Sequence, residues 1–311
     1  MQNHRLSLFT HLLVMLVLIA ACRSQSENTI FQLEEPLETS VKEPTEVIQK
    51  DEDSEIDPEF LPEEFNADNF DNPTEITNQW FPLTPGMQYI FEGQTEEGGV
   101  TSEHQVIFTI TDLTKVIHET QTVVVWDRDY SEGELVETEL AFFAQDNDGN
   151  VWRMGEYPEV YENGVLVEAP AWISGYKGAI AGIMMTVNPT LGTPSYSQGW
   201  GPAVDFTDRA FVEETGLQIC VVMDCFNDVI VIAEYSRAEP NAFQLKYYSP
   251  RIGNVKIGYR GDDATREQLE LVRIRDLSAE ELAEVRKMVL LLEANAYIIS
   301  KEVYDQTEPV K

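Results

Sequence analysis

From residue 76 to residue 276 the chain repeatedly alternates apolar and polar positions, the period of a strand with one face buried. Residues 87–93 set Tyr89 and Phe91 against polar neighbours, and His104, Val106, Phe108 and Ile110 alternate with Gln105 and Thr109. Residues 115–129 read as a strand carrying the β-branched run Val123-Val124-Val125 ahead of Trp126. Three dipeptides follow, Glu132-Gly133, Asp148-Gly149 and Asn163-Gly164, of the kind that admits the positive φ of tight hairpins. They divide 134–145, 150–154 and 159–162 into an antiparallel meander, and strand patterns resume at 211–221, 226–235, 242–248, 254–259 and 268–275. Residues 168–204 hold Trp172, Tyr176, Met184, Met185 and Trp200 without a period, which predicts a long ordered loop.

Only one segment has a helical period. Ser278-Ala279-Glu280-Glu281 is a capping-box sequence, and Leu282, Val285, Val289, Leu292 and Ala296 behind it form one apolar stripe. The expected fold is therefore mainly β. An antiparallel curled sheet or open barrel over 76–276 carries a C-terminal helix over 277–300, with a tail at 301–311.

The N-terminus has a different pattern. Arg5 precedes an apolar run over residues 6–21, whose helical span of roughly 24 Å falls short of the ~30 Å hydrocarbon core, so residues 1–21 read as a signal peptide. Its end, Leu18-Ile19-Ala20-Ala21-Cys22, resembles the bacterial lipobox, which makes Cys22 the expected lipid-attachment residue of a palmitate-bearing lipoprotein. Several acyl chains, at about 0.8 kcal/mol per buried methylene, would anchor it to a cell membrane or outer membrane on the extracytoplasmic side. Residues 23–75 then carry 17 acidic and 3 basic side chains, so 22–75 reads as a disordered acidic tether. Phe60, Leu61, Phe65 and Phe70 are its few large apolar residues, and either docking onto the body or solvation suits them.

Charge narrows the function classes. With 55 acidic and 21 basic residues, a net of −34, the chain lacks the Lys/Arg clusters that nucleic acid or anionic lipid would require, so acyl chains are its expected contact with a membrane. Catalytic motifs are missing from the sequence. His118-Glu119 begins a zinc-peptidase pattern, but Thr122 stands where the second His belongs, so no catalytic residue, metal or cofactor is assigned. Asp146-Asn147-Asp148-Gly149-Asn150 imitates a calcium loop, yet Val151 and Tyr157 occupy its Gly and Glu positions, and a hairpin turn accounts for it better. Paired carboxylates cannot be told from chance pairs in so acidic a chain.

Asn78-Gln79-Trp80-Phe81-Pro82-Leu83-Thr84-Pro85-Gly86, followed by Tyr89 and Glu92-Gly93, resembles the opening of a family of bacterial exported proteins and lipoproteins, in which N-x-(aromatic)-F-P-L-x-P-G leads into the first strand. Asp127-Arg128, Ala144-Gln145-Asp146, Gly149-Asn150-Val151-Trp152, Tyr247-Tyr248-Ser249-Pro250 and Leu277–Leu282 extend the resemblance over most of 72–304, with a departure at 222–225. It implies a β-rich extracytoplasmic domain and supplies no activity. Within the motif, Pro82 and Pro85 stiffen the chain, Gly86 permits a tight turn, and Trp80 with Phe81 can plug the end of the sheet.

Two further sets of residues are candidates. Cys220 and Cys225, the cysteines besides Cys22, suit a disulfide in an oxidising compartment, although Val221-Val222-Met223-Asp224 is poor turn chemistry and a continuous strand would hold them apart. Trp172, Tyr176 and Trp200 are the candidate ligand contacts, against the alternative that they fill the core. The expected role is a binding or structural interaction domain at the cell envelope, with an envelope protein or small ligand as partner. A carboxylate-dependent hydrolase is the alternative. Buried aromatics without a cavity would favour the structural role, and an open cleft with facing carboxylates would favour the enzyme.

Overall fold

The computed structural model describes residues 61–311; the signal segment, Cys22, Phe60 and most of the acidic tether lie outside the described residues. Two antiparallel meanders make up the sheet. The first runs β1 (Met87–Glu97), β2 (Val100–Ile117), β3 (Thr120–Ser131), β4 (Glu134–Gln145) and β5 (Val151–Glu162), with β8 (Ile180–Met185) on the far side of β5. The second runs β11 (Arg209–Cys220), β12 (Cys225–Tyr235), β13 (Ala242–Ser249), β14 (Gly253–Gly261) and β15 (Gln268–Asp276). Along one seam β1 pairs with β15, Met87 opposite Asp276. The short strands β6 (Val165–Glu168) and β7 (Trp172–Ile173) add to β5.

The second seam lies where a long loop was expected. Within residues 196–200, β9 (Tyr196–Ser197) pairs with Arg209 and Ala210 of β11, while β10 (Gly199–Trp200) pairs with Ala181 and Ile180 of β8. Five residues thus join the two meanders into a nearly closed barrel. Gly182 is needed there, because a Cβ would stand 2.1 Å from the Gly199 nitrogen. Strands of two to six residues are too short to display a period, which is why this seam reads as irregular.

Strands β3 and β4 are buried on both faces, so their apolar residues run on without alternation. Val124, Trp126, Leu140 and Phe142 point outward and join Trp152 and Met154 against Val285, Val289, Leu292 and Ala296 of α1 (Ala279–Ile299). That helix opens with the expected capping box at Ser278 and Glu281. Residues of the other parity, Val123, Val125, Ala141 and Phe143, face inward with Met185, Ile230, Ile232 and Tyr248. His118 and Glu119 are not in a strand: their φ values of 47° and 65° make the tight turn between β2 and β3.

Both ends of the described chain are more ordered than composition suggests. After α2 (Lys301–Tyr304) the tail returns to β2, where Lys311 and Thr114 exchange backbone hydrogen bonds of 2.9 and 2.8 Å. At the other end the tether was expected to reach residue 75, yet residues 61–75 lie against the body. Phe65 packs on His118 and Trp152 at 4.9 and 5.6 Å between ring centres, Phe70 on Trp152 at 6.2 Å, and the Arg209 guanidinium donates to the Leu61 carbonyl at 2.8 Å. Leu61 itself stays exposed. Two partly buried aromatic rings offset the ordering of an acidic segment, an effect that mean composition averages away. No helix among the described residues is long and apolar enough to cross a membrane.

Candidate functional site: a cleft inside the barrel

The interior of the barrel holds a cleft with about 140 Å³ open to water-sized molecules. At the roughly 30 Å³ that each water occupies in the liquid, that is room for about five waters. Its apolar wall comes from the lead-in segment and from β1, β2, β4 and β13: Phe81, Tyr89, Phe91, Phe108, Phe143 and Tyr248. Tyr89, Phe108, Ile252 and Asn254 are partly exposed and border the solvent. The polar lining of the cleft comes from Asp127 and Asp129 of β3, Glu137 and Glu139 of β4, then Arg153 and Lys246.

The acids are set by register. Asp127 lies directly across from Glu139, and Asp129 from Glu137. The two-residue turn at Glu132-Gly133 pairs Tyr130 with Leu135; continued unbroken, that register would set Asp127 across from Thr138 and turn Glu137 and Glu139 outward. A bulge at Val136 shifts the pairing by one residue and brings all four acids to the same face. Like charges directly opposite one another destabilise a sheet by roughly 0.2–1 kcal/mol per pair, so the barrel carries this arrangement at a cost to its own stability.

Both cations in this lining have their salt-bridge partners outside it. Arg153 pairs with Glu156 at 3.2 Å and donates to the Met184 sulfur at 3.1 Å. Lys246 pairs with Glu234 at 2.8 Å. Burial pushes Glu234 up, but the Lys246 charge and hydrogen bond, with help from Gln198 and Arg153, outweigh it and hold it below the usual range. His104 lies 3.8 Å from Asp129 and 3.5 Å from Glu267, and burial lowers it to about 4, so it adds no charge at neutral pH.

The lining acids show the result. Burial raises Asp127 to about 6, partly countered by the Arg128 backbone N–H and by Lys246, Arg128 and Arg153. Burial, then the neighbouring carboxyls, push Asp129 and Glu139 well above the ordinary range. Glu139 is only 8 % exposed, yet it accepts no hydrogen bond and has no cation at salt-bridge distance among the described residues. No three His, Cys, Asp or Glu residues there converge as a metal-holding group.

The candidate contacts chosen from sequence lie elsewhere. Trp172 is buried and stacks on Phe206 at 4.9 Å, Tyr176 donates to the Gln306 carbonyl at 2.6 Å beside the C-terminal tail, and Trp200 forms part of the closing seam. None of the three lines the cleft. Of the lead-in motif, Phe81 lines the cleft and touches Phe143 at 5.3 Å. Asn78 anchors the motif, donating to the Gly149 carbonyl at 2.8 Å and accepting from the Trp80 and Phe81 N–H groups. Cys220 and Cys225 form a disulfide across the β11–β12 hairpin, their Cα atoms 3.9 Å apart. The calcium-like segment is a turn: both Asp146 oxygens accept from Asn150, and one also from the Trp152 indole.

What sequence reading missed is the acid wall. The available signal was two Asp-x-Asp and Glu-x-Glu pairs, 127/129 and 137/139, at strand spacing on either side of one hairpin turn.

No protein-family model and no curated protein matches the chain. Two solved structures are similar at low identity. One is a presumed exported protein with a YmcC-like fold from Bacteroides fragilis, 12 % identical, with 64 % of this chain and 99 % of that chain covered and a TM-score of 0.38. The other is a presumed lipoprotein from Parabacteroides distasonis, 11 % identical, with the same coverage and a TM-score of 0.34.

Proposed function

We propose that the domain is a binding module that takes a small, largely apolar molecule into the barrel cleft, held outside the cytoplasm by lipid on Cys22. The observation that carries this reading is the cleft: a concavity lined by aromatic side chains together with a few polar groups, the usual make-up of a small-molecule site. The Cys220–Cys225 disulfide supports an exported location, because such bonds persist in oxidising compartments. Lipid attachment rests on the 18–22 lipobox, and Cys22→Ser should lose membrane partitioning after salt and carbonate washes.

The hydrolase reading draws on the same acids, one of them raised to about 6. Their placement speaks against it. A hydrolytic pair flanks the scissile bond from two sides, whereas these four stand beside one another on adjacent strands of one wall. Binding is tested with the neutral fluorophore N-phenyl-1-naphthylamine. A saturable one-to-one fluorescence rise, abolished by Val106→Trp in a variant with an unchanged circular-dichroism spectrum, supports the reading. Absence of saturable uptake, or uptake untouched by that substitution, contradicts it. Turnover in a hydrolase screen that Asp127→Asn or Glu139→Gln abolishes would establish the enzyme instead.

A further inference from the structure

We propose that the molecule accepted by the cleft is an organic cation, an amine or guanidinium on an aromatic or aliphatic body, with the cation seated between Asp127 and Glu139. This rests on the cleft being a binding site and specifies what it binds. Three observations converge on it. Aromatic and acidic side chains line the same cavity, with Glu139 and Phe143 on one face of β4, so a ligand filling it meets both. The two cations lining the cleft have Glu156 and Glu234, neither of which lines it, as their salt-bridge partners, so Asp127 and Glu139 have no cation at salt-bridge distance among the described residues. Glu139 is nine-tenths buried and lines the cavity without a hydrogen-bond donor, a condition a structural role would not select.

A ligand N–H supplies the missing donor. The low dielectric that makes an unpaired carboxyl costly also strengthens a charge-assisted bond to it, and the aromatic wall favours a cation near its ring faces. An anionic ligand would oppose ionisation of the lining acids further, and a neutral one would give Glu139 no charge partner. Burial and the adjacent acids favour the protonated form of Glu139 and a cation seated there favours the ionised form, so binding is coupled to proton release. The groups facing Glu139 are Asp127, Glu137, Glu156 and Arg153.

Three probes of one shape separate this from the parent reading: 4-phenylbutylamine, 4-phenyl-1-butanol and 4-phenylbutyrate, titrated calorimetrically at pH 7 in about 150 mM salt, where general attraction to an acidic protein is screened beyond ~8 Å. The amine should bind at least tenfold tighter than the alcohol, and the butyrate weakest. Repeating the amine titration in buffers of different ionisation enthalpy should reveal proton release. Glu139→Gln should remove most of the amine's advantage and the proton release while leaving alcohol affinity unchanged. Glu284→Gln, an exposed acid on α1, should change neither. Equal or tighter binding of the alcohol or butyrate overturns the cation assignment and leaves the cleft as a binding site. Failure of all three at millimolar concentration overturns both.

Discussion

Two of the polar sites buried among the described residues are built in opposite ways. Beneath α1, Lys115 is 1 % exposed and its ammonium has three partners: Glu293 at 2.7 Å, the Glu308 carbonyl at 2.6 Å and the Tyr297 hydroxyl at 3.3 Å. Glu293 in turn accepts the Val310 N–H at 3.0 Å, and the Tyr297 and Tyr304 rings lie within 5.4 Å of the ammonium. On the inner face of the same sheet, Glu139 has comparable burial and no donor at all. The first site pairs its two charges, although the nearby Tyr304 hydroxyl is buried without a hydrogen bond, and it closes the tail onto the barrel. The second is incomplete and opens onto a cleft. Burial alone therefore does not distinguish the two sites; the missing charge partner and the adjoining cleft do.

The comparison breaks most visibly if one partner is taken from the complete site. Lys115→Met should destabilise the domain by about 3–5 kcal/mol, since it strands Glu293 in the interior, and urea denaturation reads this directly. A loss below about 1 kcal/mol would show that the pair is not interdependent.

The acid wall should instead make the domain less stable as pH rises. A carboxyl raised on folding contributes stability that is present below its unfolded value and lost as pH climbs through its folded one. For Asp127, raised from about 3.8 to about 6, that window is roughly pH 4 to 6, and Asp129 and Glu139 extend it upward. Two units correspond to about 3 kcal/mol for the one group. Melting temperature should fall between pH 5 and 8, and Asp127→Asn should flatten the slope; a rise over that range would contradict the acid-wall account.

Stability and site can also be separated. Replacing Cys220 and Cys225 by Ser should cost roughly 2 kcal/mol through loss of a small closed loop, and leave N-phenyl-1-naphthylamine uptake unchanged, because neither residue lines the cleft. The smallest effect expected is a gain. Glu139→Gln should stabilise the free domain at pH 8 by about 1 kcal/mol and have little effect at pH 5, the reverse of what removing a satisfied group does.

The strand pattern, the capping box at Ser278 and the mainly antiparallel fold were legible because each signal is local and periodic. The barrel's closure was not. It depends on five residues, 196–200, whose two pairs of hydrogen-bonded neighbours lie far apart in the chain. The candidate site was hidden for a related reason. Asp127, Asp129, Glu137 and Glu139 stand out in no composition count when 55 acids are present. Their common face depends on a bulge at Val136 that the Glu132-Gly133 turn, taken alone, argues against. Trp172, Tyr176 and Trp200 drew attention as large aromatics in an apparently irregular segment, whereas the aromatics on the cleft, such as Tyr89 and Phe108, sit in ordinary alternating strands.

The central claim is that Glu139 is buried without a partner until a cation arrives, and carboxyl-labelled NMR of glutamate, with Glu139 assigned through Glu139→Gln, tests it most directly. In the free protein its resonance should titrate well above the ordinary glutamate range, and saturating 4-phenylbutylamine should move the midpoint down. A midpoint near ~4.3 in the free protein, unchanged by the amine, would mean the group is solvated and the contrast with Lys115 does not exist.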